Sequence, residues 1–180
     1  MTNHYAAFIE GLPAKPVIIG HSFGGMIAEK LLGLGYGAAA ILPVFKNPAN
    51  VHKAVSLTAE QFRYSFGNAV SGEESDELYE RWAIPAPAKP LFEAATANFR
   101  LHSPDAVDTG NSGRGPLLLT MGKQDHTVPE VISKSTLKQY RHSVAVTDLE
   151  EFDRGHSLVI DSGWREVADA CLSWLSKNGL

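Results

Sequence analysis

The sequence predicts an α/β protein in which helices flank a mostly parallel β-sheet. Short apolar runs alternate along the chain with segments whose apolar residues recur at helical spacing, and this alternation is typical of such a sheet. The clearest apolar run is Pro-Leu-Leu-Leu-Thr-Met at 116–121. Another is Val17–Ile19, which we expect to form a strand buried on both faces.

In the first third of the chain, glycine and proline mark the end of each predicted element. Apolar residues at helical spacing predict a first helix that stops at Gly11 and Pro13. The strand at 17–19 then leads through a glycine-rich turn at 20–25 into a second helix, which is expected to begin at Met26 and stops at Gly35. The apolar run at 38–45 predicts a second buried strand.

Residues 47–112 differ in character from the rest of the chain. They are richer in charge, and helical patterns cover 58–66 and 75–82. The acidic run of the second of these helices is expected to be a solvated face. We therefore divide the chain into a partial α/β core, residues 1–46 and 113–180, and a helical cap insertion at 47–112.

The strand and helix alternation resumes after this insertion. The strand at 116–121 precedes a predicted helix at 130–140, and Pro129 is suited to the first turn of that helix. A strand is predicted at 143–152. The face of the last helix is apolar and consists of Trp164, Val167, Ala168, Cys171, Trp174 and Leu175.

Composition excludes several classes of function. The 180 residues carry a formal net charge of −4 and no basic patch, which argues against a nucleic-acid partner. The single cysteine, Cys171, allows no intrachain disulfide and fits a reducing compartment. We find no signal peptide, no membrane-spanning run, no metal-ligand spacing and no phosphate-binding loop, and so expect a soluble cytoplasmic protein without metal or cofactor.

Ser22 lies in the run Gly-His-Ser-Phe-Gly, between a predicted strand and a predicted helix. A serine hydroxyl is a poor nucleophile unless it is exposed and a base removes its proton, and a sharp turn between strand and helix exposes it. We expect glycine at positions 20 and 24 because side chains there would collide with the strand and the helix. The pattern in this context predicts Ser22 as a nucleophile.

Two later residues have the chemistry to serve that serine. Asp125 follows the end of a predicted strand, where sites assemble in parallel sheets. The alternative for Asp125 is a cap for the following helix. Among seven histidines, His156 is the one at a strand end downstream of both Ser22 and Asp125, and a loop histidine can exchange a proton near neutral pH. The order Ser, Asp, His is that of hydrolases with this turn.

Three stretches of the chain together resemble the signature motifs of the α/β-hydrolase fold family. These stretches are Gly20–Gly25, Gly122–Pro129 and Gly155–Ser157. The resemblance extends from about His4 to Leu175 and is closest in character to small esterase-like and non-haem haloperoxidase-like members.

The resemblance implies a role for each site residue. Ser22 would be the nucleophile, His156 the general base and then acid, and Asp125 the orienting acid. The backbone N–H of Phe23 would donate to the oxyanion, and the insertion would be a cap that shapes the pocket. The implied activity is hydrolysis of an ester or related acyl bond of a small molecule through an acyl-serine intermediate.

The resemblance also implies that the chain is the C-terminal part of the family's fold. Members usually have several strands before the strand that precedes the serine, and a His-Gly loop that supplies the second oxyanion donor. Here one predicted helix precedes Val17. We therefore expect a truncated chain whose exposed strand edge favours self-association. Because losing an oxyanion donor costs about 10²–10³ in rate, we also expect weak or no activity.

Two other functions fit the same residues. A cofactor-free haloperoxidase or perhydrolase would use the same three side chains to convert a carboxylic acid to a peracid. An inactive hydrolase fragment would instead self-associate through its sheet edge. Haloalkane dehalogenation is disfavoured, because that relative has an aspartate where Ser22 stands. The substrate itself is set by the cap and loops and cannot be derived from the fold.

Overall fold

The computed structural model describes residues 2–37, 39–42, 54–87 and 106–180. Helices and strands alternate along most of this length. In chain order the elements are α1 (Thr2–Glu10), β1 (Val17–Ile19), α2 (Phe23–Gly33), β2 (Ala39–Leu42), β3 (Ala54–Val55), α3 (Ala59–Ser65), α4 (Gly72–Trp82), β4 (Ala86–Pro87), β5 (Leu117–Gly122), α5 (Glu130–Gln139), β6 (Thr147–Phe152) and α6 (Trp164–Lys177).

Four strands form a parallel sheet in the order β1-β2-β5-β6. The predicted α/β class with a mostly parallel sheet flanked by helices is therefore confirmed. All six residues of β5 are buried, as expected for an interior strand of a parallel sheet. The carboxyl ends of parallel strands share one edge of the sheet, so the turn after β1 and the loops after β5 and β6 open on the same side.

Two apolar clusters cover the two faces of this sheet. Because alternate residues of β5 point to opposite faces of the sheet, each cluster contains residues of this strand. On one face the buried residues are Leu118, Phe152, Leu158, Val167, Cys171 and Trp174. On the other they are Ala28, Leu32, Leu117, Leu119 and Tyr140. Helix α6 therefore packs on the first face, and α2 and α5 on the second.

The expectation that β1 is buried on both faces is wrong. Its residues Val17 and Ile18 pack against the two clusters, but Ile19 is 69% exposed. Among the described residues only β2 pairs with β1, which therefore forms one edge of the sheet. An apolar run shows that a strand contacts the core, whereas its position in the sheet depends on neighbours distant in sequence. The predicted self-association through this edge stays a prediction.

Two helices of the predicted insertion pack against each other. Thr58 closes a capping box with Gln61 at the start of α3, and the Ser71 hydroxyl caps α4. Phe62 of α3 and Leu78 of α4 are buried. Strands β3 and β4 form a separate two-stranded antiparallel pair. The predicted boundaries at 46/47 and the run at 88–105 lie outside the described residues.

The acidic run of α4 is only partly the solvated face that its composition predicts. The carboxylate of Glu74 accepts hydrogen bonds from the backbone N–H and the hydroxyl of Ser162. It therefore ties α4 to the loop before α6. The other acidic residues of the helix are exposed: Glu73, Asp76, Glu77 and Glu80.

Three predicted boundaries shift. The strand predicted from residue 143 begins at Thr147, the second helix begins at Phe23 directly after the turn, and Pro129 is the N-cap of α5 rather than part of its first turn. In the described part of the chain, no helix combines the length and apolar character needed to cross a membrane.

Candidate active site

Ser22 occupies a strained turn between β1 and α2. Its φ of 54° and ψ of −125° make it the one non-glycine residue with positive φ among those described. Such a conformation costs on the order of 1–3 kcal/mol and persists where the surrounding fold enforces it. Serine therefore holds, at an energetic cost, a half-buried position on the sharp turn between the strand and the helix.

The two flanking glycines differ in the reason for their presence. A Cβ at Gly20 would lie 2.2 Å from the carbonyl oxygen of Gly24, so only glycine fits at position 20. A Cβ at Gly24 would meet nothing within 4 Å. The expectation of a collision at Gly24 is therefore wrong, because the start of α2 turns this position away from the strand.

The structure brings Ser22, His156 and Asp125 into one chain of hydrogen bonds. The Ser22 Oγ lies 3.2 Å from Nε2 of His156, and the Nδ1 of His156 lies 2.8 Å from Oδ2 of Asp125. Ser22 precedes Asp125 and His156 by more than one hundred positions in sequence, yet all three follow the carboxyl ends of parallel strands. A histidine with an acceptor on Nδ1 and a serine on Nε2 is oriented to take the serine proton.

Asp125 is held by its own loop. Its Oδ1 accepts hydrogen bonds from the backbone N–H groups of Thr127 and Val128, each at 2.7 Å. Its Oδ2 is thereby left facing His156. The alternative interpretation of Asp125 as the cap of α5 is wrong, because Pro129 is the N-cap of that helix.

The loops after β5 and β6 approach each other closely. A Cβ at Gly122 would lie 2.4 Å from the carbonyl oxygen of Arg154, a distance that no side chain tolerates. The guanidinium of Arg154 and the hydroxyl of Ser157 both bond to the buried carboxylate of Asp161. Arg154 precedes His156 and Ser157 follows it, and both residues are therefore held by a single carboxylate.

His21 contacts the imidazole of His156 directly. Its ring centroid lies 4.9 Å from that of His156. Burial, and next the nearby His156, lower the pKa of His21 to about 4, so its imidazole is neutral at neutral pH. Its Nδ1 is buried and has no hydrogen-bond partner among the described residues. Its position next to Ser22 was visible in the sequence, but its contact with His156 was not.

Phe23 is the first residue of α2. The first N–H groups of a helix have no partner within it and carry the positive end of its dipole. Within the described part of the chain no group accepts the Phe23 N–H. It is therefore available to a negatively charged oxygen next to Ser22.

Sequence reasoning missed the residues of the insertion that contact these loops. The ring of Phe66 packs edge-on against His156, and the carbonyl of Tyr64 lies 2.9 Å from Nδ1 of His126. These contacts join positions more than sixty residues apart, so no local sequence signal marks them. Among the described residues, no group of three His, Cys, Asp or Glu side chains could hold a metal ion.

A sequence profile described as the alpha/beta hydrolase family matches residues 2–170. The chain belongs to the alpha/beta hydrolase family. The strained turn at Ser22 and the chain order Ser22, Asp125, His156 match the motif order of this family. No curated protein matches the chain.

Solved structures of other alpha/beta hydrolases resemble the chain in fold, at low sequence identity. An extracellular alpha/beta-hydrolase from a Paenibacillus species has a TM-score of 0.66 and 17% identity, over 96% of this chain and 77% of that one. A monoacylglycerol lipase from Paleococcus ferrophilus has a TM-score of 0.63 and 16% identity, over 98% and 74%. A methylesterase from Arabidopsis has a TM-score of 0.62 and 16% identity, over 96% and 75%.

Proposed function

We propose that the protein is a serine hydrolase that cleaves the ester of a small carboxylic acid through an acyl-enzyme on Ser22. One observation carries the proposal: a serine on a strained, glycine-flanked turn bonds to His156, which bonds in turn to a buried aspartate. The family membership supports the hydrolase class. The esterases and the lipase that share the fold support esters as the substrate.

The geometry supports a two-step reaction. As the Ser22 oxygen attacks the ester carbonyl, Nε2 of His156 accepts the serine proton. The imidazolium then gives that proton to the departing alcohol, which leaves an acyl group on the serine. Water repeats the sequence, with His156 as base, and releases the carboxylic acid. Asp125 holds Nδ1 protonated and stabilises the imidazolium in both steps.

The negative charge that develops on the carbonyl oxygen needs hydrogen-bond donors. Phe23 begins α2 directly after Ser22, so its N–H and the positive end of the α2 dipole are adjacent to the serine in the chain. We assign Phe23 as one oxyanion donor on this basis. We further propose that residues of the 47–112 interval form the cap over the acyl pocket, because α3 and its C-terminal turn contact the loops of the triad.

A fluorophosphonate probe tests the proposal directly, since it reacts only with an activated serine. We expect the wild-type chain to be labelled once, on the peptide that contains Ser22, and to hydrolyse p-nitrophenyl acetate at a low rate, because Phe23 is the one oxyanion donor assigned. Ser22→Ala abolishes both, while Ser176→Ala, at an exposed serine of α6, changes neither. Labelling that survives in Ser22→Ala, or a folded wild-type chain that neither reacts with the probe nor turns over ester, contradicts the proposal.

A further inference from the structure

The last residue of α3 and the turn that follows it are hydrogen-bonded to both loops that carry the proposed triad. We call residues 65–68 the clamp segment. Its hydrogen bonds to these loops run from Thr127 Oγ1 to the Ser65 carbonyl (2.7 Å), from Asn68 Nδ2 to the Gln124 carbonyl (2.7 Å) and from the Ser157 N–H to the Phe66 carbonyl (3.3 Å). One short piece of the insertion therefore holds the loop of Asp125 and the loop of His156 together.

The contact between the clamp segment and the histidine loop is close. A Cβ at Gly155 would lie 2.8 Å from Oδ1 of Asn68 and 3.2 Å from the carbonyl oxygen of Phe66. A side chain at position 155 would therefore displace the amide of Asn68 and crowd the carbonyl of Phe66, so glycine allows the clamp segment to approach the histidine loop closely.

The ring of Phe66 lies against the catalytic imidazole itself. The centroids of Phe66 and His156 are 4.7 Å apart, and their planes meet at 80°. This edge-to-face arrangement is favourable for aromatic pairs. His156 is 0% exposed, although it lies in a loop. With His21 on another side of the ring, the imidazole can turn only if these neighbours move.

The ring of Phe66 is itself held in place by other aromatic side chains. It is stacked on Phe62, with centroids 5.2 Å apart and planes 7° from parallel. Phe62 is buried and meets Tyr79 edge-on at 5.7 Å, and the Tyr79 hydroxyl donates to the Leu57 carbonyl. The packing of α3 on α4 therefore extends as a row of aromatic rings to His156.

We propose that Phe66 is a positioning residue of the triad. Its ring and its carbonyl hold the imidazole of His156 with Nε2 towards Ser22 and Nδ1 towards Asp125, and keep water from the Nδ1 hydrogen bond. The proposal rests on the proposed function for its kinetic consequence. A displacement of about 1 Å in a catalytic group can reduce rate by about 10²-fold, so a residue that fixes the imidazole acts on kcat without touching substrate.

Tyr64 provides a matched control, because it forms a similar ring pair outside the triad. Its ring lies 4.7 Å from that of His126, but Tyr64 is 68% exposed and its side chain does not contact His156. We expect Phe66→Ala to lower kcat for p-nitrophenyl acetate by about 10- to 100-fold, with KM within about twofold of wild type. Phe66→Leu, which keeps apolar volume, recovers part of the loss, and Tyr64→Leu leaves kcat unchanged.

A second readout separates this proposal from the proposed function. The Nδ1 proton of a histidine bonded to a carboxylate gives a downfield proton resonance, which Asp125→Asn identifies by removing it. We expect Phe66→Ala to broaden this line through exchange with water and Tyr64→Leu to preserve it. If the wild type turns over no ester but its line responds to Phe66→Ala, the proposed function fails and the positioning role stands.

The positioning role is overturned by a cooperatively melting Phe66→Ala variant whose downfield line and kcat both match wild type. An unchanged line in a chain without turnover overturns it equally. Should Phe66→Ala not fold, Phe66→Leu carries the test, with kcat expected about three- to tenfold below wild type and partial broadening of the line. A Phe66→Leu variant identical to wild type in both readouts then overturns the proposal.

Discussion

Two buried carboxylates lie at opposite ends of the sheet and are treated differently by the fold. At the carboxyl end, Asp125 accepts hydrogen bonds from two backbone N–H groups and from His156. Toward the amino end of the strands, Glu29 of α2 is buried with one carboxylate oxygen that no described group satisfies. Burial alone therefore does not decide what a carboxylate does; the donors around it do.

The environment of Glu29 explains why the pKa of its carboxyl departs from the ordinary value. Burial raises the pKa of the Glu29 carboxyl to about 7, against the opposing effects of the Tyr140 hydroxyl and the Arg114 guanidinium. The terminal nitrogens of Arg114 donate to the carbonyls of Gly115, Ala145 and Val146, and its buried Nε has no partner among the described residues. Its guanidinium also covers the ring of Tyr140 at 4.9 Å.

The largest expected effect follows from replacing the well-bonded carboxylate. Asp125→Asn preserves the shape of the loop but removes the acceptor that holds Nδ1 protonated. We expect kcat/KM for ester hydrolysis to fall by about 10³- to 10⁴-fold. Steady-state kinetics measure this, with Glu29→Gln as the matched control at the other end of the sheet. Equal losses in the two variants would mean that the two carboxylates do not differ in role.

The next effect concerns stability at the amino end. The pKa of Glu29 is higher in the folded chain than in the unfolded chain, so the folded state binds more protons between about pH 4.5 and 7, and stability is lost as pH rises through that window. Glu29→Gln removes this loss. We expect the free energy of unfolding of Glu29→Gln, relative to that of wild type, to increase by on the order of 3 kcal/mol from pH 4.5 to pH 8. Denaturant unfolding at the two pH values measures this difference. A difference that does not change with pH contradicts this assignment.

A smaller effect of opposite sign is expected at the carboxyl end. The pKa of His21 is lower in the folded chain than in the unfolded chain, so stability is lost as pH falls from about 6.5 to 4. His21→Asn removes the charge that the unfolded chain gains. We expect the free energy of unfolding of His21→Asn, relative to that of wild type, to increase by on the order of 2 kcal/mol from pH 7.5 to pH 4.5. The same unfolding measurement made at both pH values checks this, and a relative loss on acidification would contradict it.

The two titrations act against each other in wild type. Between about pH 4.5 and 6.5, Glu29 lowers the free energy of unfolding as pH rises while His21 raises it. Each single variant therefore shows the pH dependence of stability that the other residue produces. The double variant shows neither dependence. Because every comparison is a difference from wild type at the same pH, the titration of unrelated groups cancels.

The sequence predicts much of the site because its signals are local. The strand before Ser22, the glycines around it, and the strand ends before Asp125 and His156 can all be recognised within a few residues. The parallel sheet then brings the three loops together, since carboxyl ends of parallel strands share an edge. Fold class and site geometry follow from the same pattern.

Other features depend on contacts that no local pattern encodes. Phe66 reads as an ordinary apolar residue of a helix in the insertion, and its contact with His156 spans ninety positions. The sequence pattern indicates that Glu29 is a solvated charge of an amphipathic helix. Only the fold places it near Tyr140. The exposure of Ile19 depends on which strands lie beside β1. These features become visible only when distant segments have been placed together.

The most direct test of the central claim is to trap the acyl-enzyme. Rapid acid quenching of the reaction with p-nitrophenyl acetate, followed by mass spectrometry of the digested chain, locates the acetyl group. We expect it on the peptide that contains Ser22, at close to one equivalent during the initial burst of p-nitrophenol. Ester turnover with the acetyl group on another residue, or on none while Ser22→Ala retains full activity, would contradict the account.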